Sequence, residues 1–127
     1  MRRASDARLE RSVGSALGLK LIFGAMAEAY EPEAEGGVTG EIQYDLGRSD
    51  GRLAQWTVRI DSQQATVGEG PAAAPLLTLK MGVADFLRIA AGDLDPGKAL
   101  LTGRLDLEGD FALVQRLGEM FGRPAAL

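Results

Sequence analysis

The carboxylates that could be paired for acid–base chemistry are Asp45, Asp61, Asp85, Asp106, Glu108 and Asp110. Two of them held a few ångströms apart would make a general acid and a base, yet the local pattern gives each another task. Asp45, Asp61, Asp106 and Glu108 fall on the outward positions of alternating stretches, where a carboxylate is solvated. Asp85 and Asp110 stand where helices begin, and an acidic side chain is favoured there. The chain has no histidine and no cysteine. That removes the commonest general base, the thiol nucleophile, disulfides and the Cys/His zinc site. Hydroxyls are present without a base to activate them. No Asp/Asn-rich loop has calcium-binding spacing, and no glycine group sits between strand and helix in a phosphate-binding spacing. The expectation is no catalytic residue, no metal and no cofactor: a chain that is not an enzyme.

What the sequence offers instead is a set of apolar side chains: Leu77, Leu79, Met81, Phe86, Ile89, Leu105, Leu107, Val114, Leu117, Met120 and Phe121. Periodicity alone reads them as core, because an alternation count does not separate residues that touch each other from residues that touch a ligand.

The elements that must position this set lie in residues 76–122. LLTLKM alternates, sending Leu77, Leu79 and Met81 to one face of a strand and Thr78 and Lys80 to the other. Gly82 takes the N-cap position of a helix over 83–91, which Gly92 ends in a left-handed conformation. Residues 93–97 (DLDPG) read as a turn. LLTGRLDLEGD then reads as a strand, with Leu101, Gly103, Leu105 and Leu107 on one face and Thr102, Arg104, Asp106 and Glu108 on the other. Asp110 is the expected N-cap of a closing helix over 111–121, a lid at a chain end, stopped by Gly122, Arg123 and Pro124.

Upstream, residues 1–11 are charged and expected to fray. A helix is predicted from about 12 to 30, with Val13, Leu17, Leu21 and Ala25 in one row and Leu19, Ile22, Phe23, Met26 and Tyr30 in another. So wide an apolar arc implies burial on more than one side. Strands are predicted over 38–46, 53–61 and, more weakly, 64–68, with Asp50-Gly51 as a hairpin turn and 68–75 as an extended crossover. Trp56 points inward and reads as core. The outward row Arg48, Arg52, Arg59, Lys80 and Arg104 reads as a wet sheet face, with a partner surface or anionic lipid head groups as the alternative. Helices segregated from a mainly antiparallel sheet make an α+β domain covered on one face.

Residues 75–117, in particular LTLKMGVADFLRIAAGDLDPGKALLTGRLDLEGDFALVQRL, resemble the sterol carrier protein 2 family of lipid-binding domains. The matched features are the strand, the helix start at Asp85, Phe86 and Leu87, the turn with Asp95, Pro96 and Gly97, and then Ala99, Leu100, Gly103 and Gly109. The resemblance implies five strands in the order 3-2-1-4-5, helices over one face, and an apolar tunnel lined by the set named above. It implies binding and transfer of a fatty acyl chain, sterol or similar lipid. The alternative is a protein-interaction or accessory subunit of a lipid- or quinone-metabolising assembly, with the cavity filled or repurposed, which a homodimer formed through residues 19–26 would support.

Composition agrees with one domain over 127 residues. The balance of 14 basic and 18 acidic side chains argues against nucleic acid as a partner. The longest apolar run, 19–27, is far shorter than the ~20 residues that span a bilayer. Membrane contact is expected to be transient at most. Polar residues after Met1-Arg2-Arg3 argue against a secretory signal, and the ending Ala126-Leu127 lacks a peroxisomal Ser-Lys-Leu address. The cytoplasm is the expected compartment.

Overall fold

The computed structural model describes residues 8, 15–30, 39–61, 64–110 and 112. Within them the order is α1 (Ala16–Glu28), β1 (Gly40–Gly47), β2 (Leu53–Asp61), β3 (Gln64–Glu69), β4 (Pro75–Gly82), α2 (Val83–Ala91), α3 (Pro96–Leu101) and β5 (Leu105–Gly109). The expected closing helix over 111–121 lies outside the described residues apart from Ala112.

The strands form one sheet in the order β3-β2-β1-β4-β5, as the resemblance implies. The sheet is mixed rather than mainly antiparallel in plan: β1 and β4, at its centre, run parallel, and the outer pairings are antiparallel. A parallel neighbour needs a crossover, and residues 70–74 supply it across the outward face. The Thr57 hydroxyl donates to the Gly70 carbonyl at 2.8 Å, and the Ala72 N–H donates to Gln43 Oε1 at 2.9 Å. Thr57, Gln43 and Thr78 are paired across β2, β1 and β4, and all three are buried although polar. For Thr57 and Gln43, burial under hydrogen-bonded cover is the arrangement that makes buried polar groups tolerable.

The inward face carries Trp56, Val58 and Ile60 from β2, Ile42, Tyr44 and Leu46 from β1, and Leu77 and Leu79 from β4, all buried. α1 starts where the Ser15 hydroxyl accepts from the Gly18 N–H at 3.2 Å, later than position 12. It buries Leu19 and Phe23 completely, but Leu17 and Leu21 are 67% and 65% exposed. The helix therefore buries one side only, contrary to the expectation from its wide arc. Leu17 and Leu21 lie one turn apart on the same stripe, and that stripe faces away from the sheet.

The second correction concerns residues 93–104. DLDPG is a helix start rather than a plain turn. Asp95 is the N-cap, its carboxylate accepting from the Lys98 N–H at 3.0 Å, and Pro96 takes the first helical position. An N-cap acid followed by proline uses the same residue types as a turn, and here the helix forms. Leu101 consequently ends α3 at 87% exposure instead of facing the core from a strand. Gly103, at φ +77°, turns the chain back rather than extending it, so β5 begins only at Leu105.

Candidate functional site

β4 and β5 set the floor of the site. Their register pairs Leu79 with Leu107 and Met81 with Leu105, so four aliphatic side chains form a two-by-two patch on the inward face. Leu77, Leu79 and Leu105 are buried, and Met81 and Leu107 are half-buried and packed against the core. α2 crosses above. Gly82 caps it through backbone alone, and Gly92, at φ +87°, ends it with N–H bonding to the Ile89 carbonyl at 3.1 Å. This places Phe86 inside and Ile89 half-buried against the core. Seven of the predicted site residues thus share one side of the sheet, while Val114, Leu117, Met120 and Phe121 lie outside the described residues.

The candidate set omits the side chains that meet Phe86. Phe23 from α1 stacks between Trp56, at 4.9 Å between centroids, and Phe86, at 5.0 Å. Tyr44 stands edge-on to Phe23 at 5.1 Å and to Phe86 at 5.7 Å. Burial pushes the Tyr44 phenol well above its ordinary range, so it stays neutral and interior. Phe23, Tyr44 and Trp56 each sit on an inward row that the sequence identifies, but no spacing shows that three separate elements bring them to Phe86. Leu94 and Ala99, from the stretch misread as turn and strand, also join this core.

Most of the candidate carboxylates are ion-paired or hydrogen-bonded. Asp85 accepts from Arg104 Nε at 3.2 Å and from its Nη2, and from Arg88 Nη1 at 3.2 Å. Burial raises the Asp85 carboxyl, but the two guanidiniums outweigh it and hold the group below the usual carboxylate range. Asp45 accepts from Gln43 Nε2 at 2.8 Å and Gln55 Nε2 at 3.1 Å. Asp61 accepts from the Gln64 N–H at 3.2 Å and Asp110 from the Ala112 N–H at 3.1 Å, as an N-cap residue would. Lys80 pairs with Glu108, and hydrogen bonding and charge from that partner raise the lysine. Arg59 pairs with Glu41 at 2.7 Å and Arg52 with Asp50 at 3.7 Å. The outward basic row is therefore not a continuous positive surface, and Arg104 leaves it for Asp85. An open groove of roughly 180 Å³ lies on that face between Glu41, Arg59, Thr66 and Pro71, and its walls are largely polar. Among the described residues no group of three or more acidic side chains is placed to hold a metal ion, and no helix is long and apolar enough to cross a membrane.

Comparison with known proteins places this geometry. The model of the SCP-2 sterol transfer family matches residues 20–122. The chain is 28% identical over 110 residues to the peroxisomal multifunctional enzyme type 2 of Mus musculus, covering 84% of this chain and 15% of that enzyme. It is 29% identical over 72 residues to the non-specific lipid-transfer protein-like 1 of Caenorhabditis elegans, covering 57% of this chain and 61% of the relative. The chain thus spans less than two thirds of either relative's length. Among solved structures, that of palmitated SCP2L2 from Aedes aegypti superposes with a TM-score of 0.65 at 28% identity, covering 84% of this chain and 92% of that one.

Proposed function

Because the chain belongs to the SCP-2 sterol transfer family, we propose that it binds and transfers an apolar small molecule without enzymatic chemistry, holding it in an internal apolar space between the sheet and the helices. The observation that carries this reading is the aliphatic patch of Leu79, Met81, Leu105 and Leu107 under α2. Leu79 and Leu105 are buried, while Met81 and Leu107 reach the core from the same pair of strands and remain partly accessible, where fully interlocked side chains would be sealed. Burying one leucine-sized group contributes roughly 1.5–3 kcal/mol, so contacts with a few such side chains suffice for useful affinity. The palmitate carried by the mosquito relative supports the same class of ligand. The non-enzymatic part of the reading is supported by the lack of histidine and cysteine and by five of the six candidate carboxylates, Asp45, Asp61, Asp85, Glu108 and Asp110, each having a named partner.

Native mass spectrometry of gently purified protein, followed by titration with a fluorescent fatty acid, tests the proposal. A co-purifying lipid or saturable binding is expected. Absence of both would sink it.

A second reading has one observation in its favour. Leu17 and Leu21 expose an apolar stripe on α1, which suits a protein partner or a second copy. Within residues 19–26 Leu21 belongs to that stripe, whereas Leu19 and Phe23 are buried. Gel filtration across concentrations separates the readings: a dimer lost in Leu17→Ser/Leu21→Ser favours the accessory role.

A further inference from the structure

Four residues lie in one register row across the sheet. Trp56 pairs with Tyr44, Tyr44 with Leu79, and Leu79 with Leu107. In this row the inward face is aromatic over β2 and β1 and aliphatic over β4 and β5, and the other inward residues of β1 and β2, Ile42, Leu46, Val58 and Ile60, are fully buried. The helices repeat this division. Phe23 and Phe86 come down on the aromatic half, their rings nearly parallel to Trp56 and to one another, with interplanar angles of 11° and 13°. Tyr44 closes the group edge-on, at 71° and 68°. Parallel rings with centroids near 5 Å are offset stacks in direct contact, with no layer of space between them. All four residues are buried. The residues beside the aliphatic half differ in kind. Met81, Ile89, Leu94 and Leu107 are each half-buried, flexible or branched aliphatics, and methionine in particular readily repacks around a guest.

We propose that the Phe23–Trp56–Phe86 stack, keyed by Tyr44, is a fixed wall that confines the ligand to the β4–β5 half and selects a flexible acyl chain over a fused-ring sterol. The inference rests on the apolar-ligand reading above and names the substrate class for that site. Neighbouring strands are about 4.8 Å apart, so a polymethylene chain lies along the strip over β4 and β5 and bends where Met81 or Leu107 requires. A fused ring system is rigid and cannot bend there, so it is displaced toward Tyr44, the neighbour of Leu79 on β1, and it fits only if Phe86 leaves Phe23. A packed stack resists this, because interiors at crystal-like density do not yield continuously.

The test uses the full chain with two fluorescent probes, cis-parinaric acid for the acyl class and dehydroergosterol for the sterol class. The expected result is saturable binding of the acid, displaced by palmitate, with the sterol bound at least roughly tenfold more weakly. Phe86→Ala removes the ring on the ligand side and is expected to shift the acid-to-sterol preference by about tenfold toward the sterol. Phe86→Leu keeps most of the volume and serves where the alanine variant does not fold; it is expected to move the ratio the same way by less. Wild-type protein that binds sterol as tightly as the acid overturns the proposal. So does a folded Phe86 variant whose ratio is unchanged. Failure of both probes to bind is a separate result: it removes the apolar-ligand reading, and this inference with it.

Discussion

Asp85, in the first turn of α2, holds Arg104, the residue before β5, in a two-point ion pair, with Oδ2 accepting from Nε at 3.2 Å and Oδ1 from Nη2. The pair ties α2 to the strand that forms the far edge of the site. Asp85→Asn is expected to cost about 2 kcal/mol, the scale of a hydrogen bond to a charged group. The cost should depend on pH. The folded carboxyl sits below its unfolded value, so its stabilisation is complete above the ordinary Asp range near ~4 and disappears as pH falls through the folded value. Urea unfolding from pH 7 to pH 3 should show a constant gap between wild type and variant down to about pH 5, closing below it. A gap that widens in acid would contradict the assignment.

Gly109 ends β5 at φ +110°, and a Cβ there would lie 2.3 Å from the Leu76 carbonyl oxygen. That carbonyl accepts the Asp110 N–H at 3.0 Å, so it has no room to retreat. Gly109→Ala combines a left-handed backbone with a clash and is expected to destabilise by about 2 kcal/mol or more. Thermal melting checks this, and an unchanged midpoint would place the strand end differently.

Leu101 and Leu105 should respond oppositely to the same change. Leu101→Ser alters an exposed helix end and is expected to stay within about 0.5 kcal/mol of wild type. Leu105→Ala empties a buried position and is expected to cost roughly 2–5 kcal/mol. Chemical denaturation of the two variants separates the helix-then-strand structure from a single long strand, which would bury both.

Leu105→Trp probes the interior itself. Where the β4–β5 patch borders ligand space, the indole occupies that space, fatty-acid binding is lost and the melting point holds. Where the patch is closed by its own side chains, the same change overpacks and costs roughly 1–3 kcal/mol. Melting and binding measured on one sample give the answer, and the first outcome is expected.

Alternation and capping decide an element when its signals are local and uncontested. β2 occupies Leu53–Asp61 and α2 occupies Val83–Ala91, both as the residues predict, because period-two burial, an N-cap glycine and a left-handed C-terminal glycine all act within a few positions. The same rules fail at Asp95 and Pro96, where turn and helix start use identical chemistry. The alternation of Leu101, Gly103 and Leu105 imitates a strand that Gly103 in fact breaks. The inward-facing parts of the candidate site, Leu77, Leu79 and Leu105, were legible for the reason β2 was. Phe23 was legible as a buried row member and nothing more.

By itself, then, the chain's pattern determined which side chains turn inward, where most strands and helices lie, and that no histidine or cysteine chemistry is available. Tertiary structure alone decided that Phe23 from α1, Trp56 from β2 and Phe86 from α2 meet in one stack, that Leu17 and Leu21 face outward, and that Gln43 and Thr57 are buried beneath the 70–74 crossover. Periodicity records the direction of a side chain relative to its own backbone. Contact between elements depends on how they are placed against one another, and that follows from the packing of the whole sheet and its helices.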